Sequence, residues 1–147
     1  MTLSGIAPAL VVGLWLLAAG VPAAAEGETI PVNVLVTHIS NEGVPGIDPS
    51  AQFLDQRLRG QFIYDSMRVV KKRRINLQLD EVSEFNLPSG KAVRLRPIHK
   101  DETGVLMAVD VEGAAKLDIR VKSHHPVVIR AGPYKGGSLV LSLELDY

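Results

Sequence analysis

The last ten residues, SLVLSLELDY, constrain the fold more than any other part of the chain. Apolar side chains occupy every second position of this segment, which is the repeat of a β-strand with one apolar face and one more polar face. They are Leu139, Leu141, Leu143 and Leu145. The same alternation covers residues 30–36, where Leu35 indicates that the second face is partly covered as well. Both segments predict strands laid over an apolar core.

After residue 60 the chain keeps the two-residue repeat, and proline and glycine divide it into short segments. Short turns such as LPSGK and KDETG join antiparallel neighbours. We therefore expect a mainly β protein of the α+β kind, folded as an antiparallel β-sandwich or small barrel of about eight or nine short strands. The expected strands cover residues 30–37, 61–71, 74–79, 82–87, 91–98, 104–112, 116–122, 126–131 and 138–145.

One amphipathic helix is expected between the first two strands, over residues 49–59. Asp48 can accept hydrogen bonds from the free amides at the helix start, the proline that follows has no amide to lose, and Gly60 ends the helix. Asp55 and Arg59 are spaced to form an ion pair on the polar side. The strands flanking the helix could pair in parallel through a right-handed crossover. The apolar stripe consists of Ala51, Leu54 and Leu58.

The first 25 residues contain no charged side chain, and their apolar run ends at Pro22 before three alanines. This pattern is typical of a secretory signal peptide with an A-x-A cleavage site, so we expect cleavage before Glu26. An uncleaved membrane anchor is the alternative, although prolines and glycines interrupt the run. The chain then divides into a signal peptide, residues 1–25, and a single β-rich domain, residues 26–147, located in the periplasm or outside the cell.

All 16 basic and all 16 acidic residues follow residue 25, so the predicted domain has no net charge. A neutral balance implies no general attraction to nucleic acid or to an anionic membrane. The absence of cysteine excludes disulfides and thiolate chemistry. Only six aromatic residues follow residue 25, too few for the two aromatic girdles of a membrane-spanning barrel. We therefore expect a domain that does not span the membrane after signal cleavage.

The run KKRR is the first candidate for a partner-binding site. Residues 57–74 carry seven basic residues and one acidic residue, a balance that suits an anionic partner. The alternative is a solvated turn between two strands, and neighbours on a strand would in any case point to opposite faces. The run consists of Lys71, Lys72, Arg73 and Arg74.

Two loops offer further contact surface. Residues 40–48 are rich in turn-forming residues and are long for a connection. The segment AGPYKGGS, residues 131–138, presents Tyr134 and Lys135, and its glycines would let a partner approach the backbone. An ordinary hairpin loop is the alternative there. The segment PSGKAV lacks the rest of a phosphate-binding loop, so no nucleotide cofactor is expected.

Four histidines are weak candidates for metal ligands: His38, His99, His124 and His125. The last two are adjacent, and adjacent residues on a strand face opposite ways, so they are poorly placed to chelate one ion. A site would need ligands from different strands, and no spacing motif predicts one. We expect these histidines to be ordinary surface or turn residues and expect no cofactor.

Catalysis is not expected, because the sequence contains no cysteine nucleophile and no G-x-S-x-G or H-E-x-x-H pattern. The sequence predicts a non-enzymatic exported domain that binds or scaffolds in the bacterial cell envelope. Its partner would be an envelope protein or an anionic envelope component, and not nucleic acid. The first alternative is a periplasmic protein that binds a metal or a small molecule through histidines. The second is a small hydrolase with a dispersed site.

Overall fold

The structure, a computed structural model, describes residues 28–147. The predicted signal peptide, residues 1–25, and its cleavage site lie outside the described residues. The described elements are β1 (Ile30–Ser40), β2 (Gly46–Ile47), a 3₁₀ turn (Pro49–Ala51), α1 (Gln52–Arg59), β3 (Ser66–Leu77), β4 (Ser83–Asn86), β5 (Ala92–Asp101), β6 (Gly104–Val111), β7 (Ala115–Val121), β8 (Val127–Tyr134) and β9 (Gly137–Leu145).

The strands form two open sheets, which confirms the β-sandwich and excludes the small closed barrel. The first sheet has the order β2-β3-β1-β9-β8, and the second is the meander β4-β5-β6-β7. All pairings are antiparallel except that of β2 with β3. Because β1 and β9 are neighbours in the interior of the first sheet, the first and last strands of the described chain form the centre of that sheet.

The main core lies between the sheets and follows from the two-residue repeat. All four alternating leucines of β9 are fully buried, as are the alternate apolar residues of β1. The second sheet contributes one face of β5 and β6, including Val93, Leu95 and Met107. A second, smaller core covers part of the outer face of the first sheet, where α1 inserts Leu54 and Leu58 against Val140. This helix explains why the second face of β1 is apolar at Leu35.

The start of the helix matches the prediction closely. The Asp48 carboxylate accepts hydrogen bonds from the amide and hydroxyl of Ser50 at 3.0 Å and 2.7 Å, and these bonds hold the pKa of the Asp48 carboxyl below its usual value. The first turn is a 3₁₀ turn, and the α-helix begins at Gln52. The short β2 precedes the helix, so the helix lies between the second and third strands.

Two local predictions are wrong. The segments 61–71 and 74–79 are not two strands with a turn between them, because a single β3 runs through the basic residues. A β-bulge near Val70 shifts the register of β3 on β1, and this interrupts the two-residue repeat in the sequence. The predicted parallel pairing of the first strand with the strand after the helix does not occur, since these strands are β1 and β3, which are antiparallel. Only the two-residue β2, directly before the helix, pairs with β3 in parallel. Within residues 28–147, no helix is both long enough and apolar enough to cross a membrane.

Candidate functional site

The four residues of the basic run leave β3 on opposite faces, as their alternation requires. Lys71 and Arg73 lie towards the second sheet, where the Lys71 Nζ is 5.4 Å and the Arg73 guanidinium 6.0 Å from the centroid of the Phe85 ring. The Lys71 Nζ also donates to the carbonyl oxygen of Asn86 at 2.7 Å. These two cations therefore close one side of the sandwich over β4.

Lys72 and Arg74 point to the outer face of the first sheet, the face that carries α1. The Arg74 guanidinium forms an ion pair with Asp146 at 3.2 Å. The Lys72 side chain makes no hydrogen bond or ion pair with another residue of the described range 28–147. The basic run therefore forms two separate pairs of cations, and the outer pair lies beside a concave surface.

A groove of about 320 Å³ lies beside this outer pair, between the start of the helix and the sheet. Across the sheet, the register places Lys72, Leu35 and Ser142 in one row. A parallel row contains Arg74, Asn33 and Glu144. The helical segment adds Ser50 and Phe53 as a wall, and the Phe53 side chain is 52% exposed. The groove thus combines an apolar floor and wall with charged side chains at both sides.

The outer edge of β3 is mostly unpaired. The two-residue β2 pairs only with Ser66 and Met67, and the Val69 amide donates to the Asp48 carboxylate at 3.3 Å. From Val70 onward, no described strand pairs with this edge. Since the bulge reverses the alternation of the backbone groups, the amides and carbonyls of Lys72 and Arg74 point outward. The strand therefore offers hydrogen-bonding groups beside a row of cations.

Tyr134 and Lys135 do not join the basic run. The predicted loop 131–138 is mainly strand, with a tight β8–β9 turn in which Lys135 and Gly136 have positive φ values of 40° and 73°. Tyr134 is aligned across the sheet with Ser40, five residues along β1 from the row of Lys72, which corresponds to about 17 Å. The six predicted contact residues therefore lie in at least two regions of the surface.

Each of the four histidines contacts a different residue. His38 Nε2 lies 2.8 Å from the carbonyl oxygen of Tyr134, and its ring meets the Tyr134 ring edge to face. His99 lies 3.6 Å from Asp101, while His124 lies 3.7 Å from Asp146. His125 Nδ1 is 2.8 Å from the carbonyl oxygen of Ser123. Among residues 28–147, no three histidine or carboxylate side chains converge as a metal site would require.

Local sequence patterns do not predict most of the groove. Lys72 stands out as part of the basic run, but Phe53 lies beside the apolar stripe of the helix and Glu144 on the more polar face of the last strand, and neither position indicates a site. The available signal is Leu35, whose apolar side chain on the second face of β1 predicts that another element packs against that face. The groove forms where α1 packs over β1, β3 and β9, and no local sequence pattern specifies that position.

Comparison with models of protein families, with curated proteins and with solved structures gives no match for this chain. Its function must therefore be inferred from its own surface: the unpaired basic edge of β3 and the groove beside it.

Proposed function

We propose that this chain is an exported, non-enzymatic binding domain of the bacterial cell envelope that holds an acidic, extended segment of an envelope protein. The binding site is the edge of β3 from Val70 to Leu77. The observation that supports this proposal is the coincidence of unpaired backbone groups and dense positive charge on one strand.

The backbone supports binding by strand addition. An exposed edge can accept a further strand through main-chain hydrogen bonds, and many recognition domains bind extended segments in this way. On β3 the outward amides and carbonyls of Lys72 and Arg74 have no strand partner in the described domain. An added strand would continue the first sheet beyond β3.

The side chains define the chemistry of the partner. β3 carries five basic residues and no acidic one. Lys71 and Arg73 lie on one face and Lys72 and Arg74 on the other, so acidic side chains of an added strand would meet cations on both faces. The same charge disfavours edge-to-edge association of two copies, because their β3 strands would repel each other. The proposal is therefore a heterotypic contact with an acidic segment.

The test uses a labelled octapeptide with the repeat Glu-Glu-Thr-Thr, which presents glutamates on both faces of an added strand, with binding followed by fluorescence anisotropy. We expect binding that weakens with added salt, since exposed charges are screened. Replacing Lys72 and Arg74 by glutamine should weaken binding about fivefold at low salt, the effect of losing two exposed charge pairs. The control replaces Lys116 and Lys122, which lie on and just after β7 of the other sheet, by glutamine and should leave affinity unchanged.

Methylation of the peptide backbone separates strand addition from simple charge attraction. Two isomers of the octapeptide, N-methylated on opposite sets of alternate amides, have the same charge, but only one set of amides faces β3 in a paired strand. One isomer should lose most of its affinity while the other retains it. Equal binding of both isomers and the parent peptide would refute strand addition, and absence of binding at low salt would refute the acidic partner.

A further inference from the structure

We infer that the groove beside α1 is a second site, which binds a short zwitterionic peptide of two or three residues with an apolar side chain. The peptide carboxylate would meet Lys72, its ammonium group would meet Glu144, and its side chain would lie on Leu35 against Phe53. This site does not depend on strand addition, because the groove lies on the face of the sheet and added-strand hydrogen bonds lie in its plane.

Among the charged side chains that line the groove, one cation and one anion have no partner in the described part of the chain. The charge of Arg74 is offset by Asp146 at 3.2 Å, and Arg73 directs its guanidinium towards Phe85 on the other face. The side chains of Lys72 and Glu144 form no hydrogen bond or ion pair within the described part of the chain. A ligand that complements this arrangement carries one negative and one positive group.

The spacing of the two charges sets the length of the ligand. Lys72 lies on β3 and Glu144 on β9, with β1 between them. Glu144 also lies one row, or two residues, along the strands from Lys72, so their backbones are two strand spacings apart across the sheet and two residues apart along it, about 12 Å. A single α-amino acid has both charges on one carbon, whereas each further residue separates them by about 3.4 Å in an extended chain. Two or three residues can therefore reach both side chains.

The apolar part of the groove supplies the preference for an apolar ligand side chain. Leu35 forms the floor with 9% of its surface exposed, and the adjacent Phe53 ring is 52% exposed. A ligand side chain placed between them would remove both from water. The groove volume, about 320 Å³, is at the lower end of the range for small-molecule sites and suits a ligand of this size.

The test measures binding of the tripeptide Ala-Leu-Ala to the purified protein by calorimetry in three forms: with free termini, N-acetylated, and C-amidated. The form with free termini should bind best, and loss of either terminal charge should weaken binding about twofold, as for one exposed ion pair. Replacing Phe53 by alanine should weaken binding of all three forms alike.

Two charge-neutralising variants assign the ends of the peptide. Lys72→Gln should remove the difference between the free carboxylate and the amide, and leave the effect of acetylation intact. Glu144→Gln should do the reverse, while Lys116→Gln, outside the groove, should change neither. If both variants retain both differences, or if the wild-type protein shows no saturable binding of any form at millimolar concentration, the inference is wrong.

Discussion

At the scale of single residues, the best-defined polar cluster fixes the C-terminal part of α1. The Asp55 carboxylate accepts hydrogen bonds from Arg59 Nε at 2.8 Å and from the buried Tyr64 hydroxyl at 2.6 Å. These bonds hold the pKa of the Asp55 carboxyl below its ordinary value. Burial and the bond to Asp55 raise the pKa of Tyr64. The pair of Asp55 and Arg59 follows from their spacing in the sequence and is confirmed, whereas the contact with Tyr64 comes from the turn after the helix.

This cluster predicts an acid-dependent loss of stability. Because the folded-state pKa of Asp55 is depressed, its contribution is present above the unfolded-state pKa near 3.8 and is lost as the pH falls through the lower folded value. Asp55→Asn should lower the free energy of unfolding at pH 7 and flatten its decline below about pH 4. Tyr64→Phe should cost about 1 kcal/mol at pH 7.

Urea unfolding between pH 2.5 and pH 7 checks this expectation. Asp118→Asn is the matched control, since Asp118 is exposed on β7 and its side chain makes no hydrogen bond or ion pair with another described residue. A pH profile of Asp55→Asn that parallels that of the wild-type protein would contradict the assignment.

At the scale of elements, β3 shows why charge alone is a poor indicator of a turn. An edge strand can carry consecutive cations because its two faces and its free edge all reach solvent. In β3 the alternation of apolar and polar side chains shifts by one residue at the bulge near Val70. The two-residue repeat in the sequence is therefore interrupted, although the strand continues. The bulge arises from pairing with β1 across the sheet, which is a long-range feature.

β9 is the opposite case, because its sequence pattern predicts both its conformation and its contribution to the apolar core. It pairs with β1 on one side and β8 on the other, and its four alternating leucines are fully buried. Each buried leucine contributes about 2–5 kcal/mol when truncated, so the four together contribute about 8–20 kcal/mol, as much as the whole net stability of a typical domain, about 5–15 kcal/mol. Deletion of residues 138–147 should therefore abolish cooperative folding.

Circular dichroism and thermal unfolding of the truncated chain check this prediction. Deletion of Tyr147 alone is the control, because this side chain is 43% exposed and follows the strand. A shortened chain that lacks all four leucines yet unfolds cooperatively would show that the core is held mainly by the second sheet.

At the scale of the whole molecule, the proposed envelope function requires export. The A-x-A pattern predicts cleavage before Glu26. Intact mass measurement of the protein expressed in bacteria should give a chain that begins at Glu26, recovered from the periplasm or the medium. Ala25→Tyr should block cleavage, because the site accepts only small residues, whereas Ala24→Tyr, at the variable position, should be processed normally. A full-length mass for the wild-type chain would favour the uncleaved anchor.

The sequence by itself determined the fold class, most strand positions and the helix after β2, because each depends on a local repeat or a local cap. It also identified the basic run, since charge density needs no structure. Only the tertiary structure decided how those cations divide between two faces, that β3 has a free edge, and that Lys72, Leu35, Phe53 and Glu144 line one groove. The physical reason is that the strand order, the bulge and the position of α1 on the sheet depend on contacts between residues far apart in the chain. Local periodicity specifies which face of a strand is apolar but not which strand lies beside it.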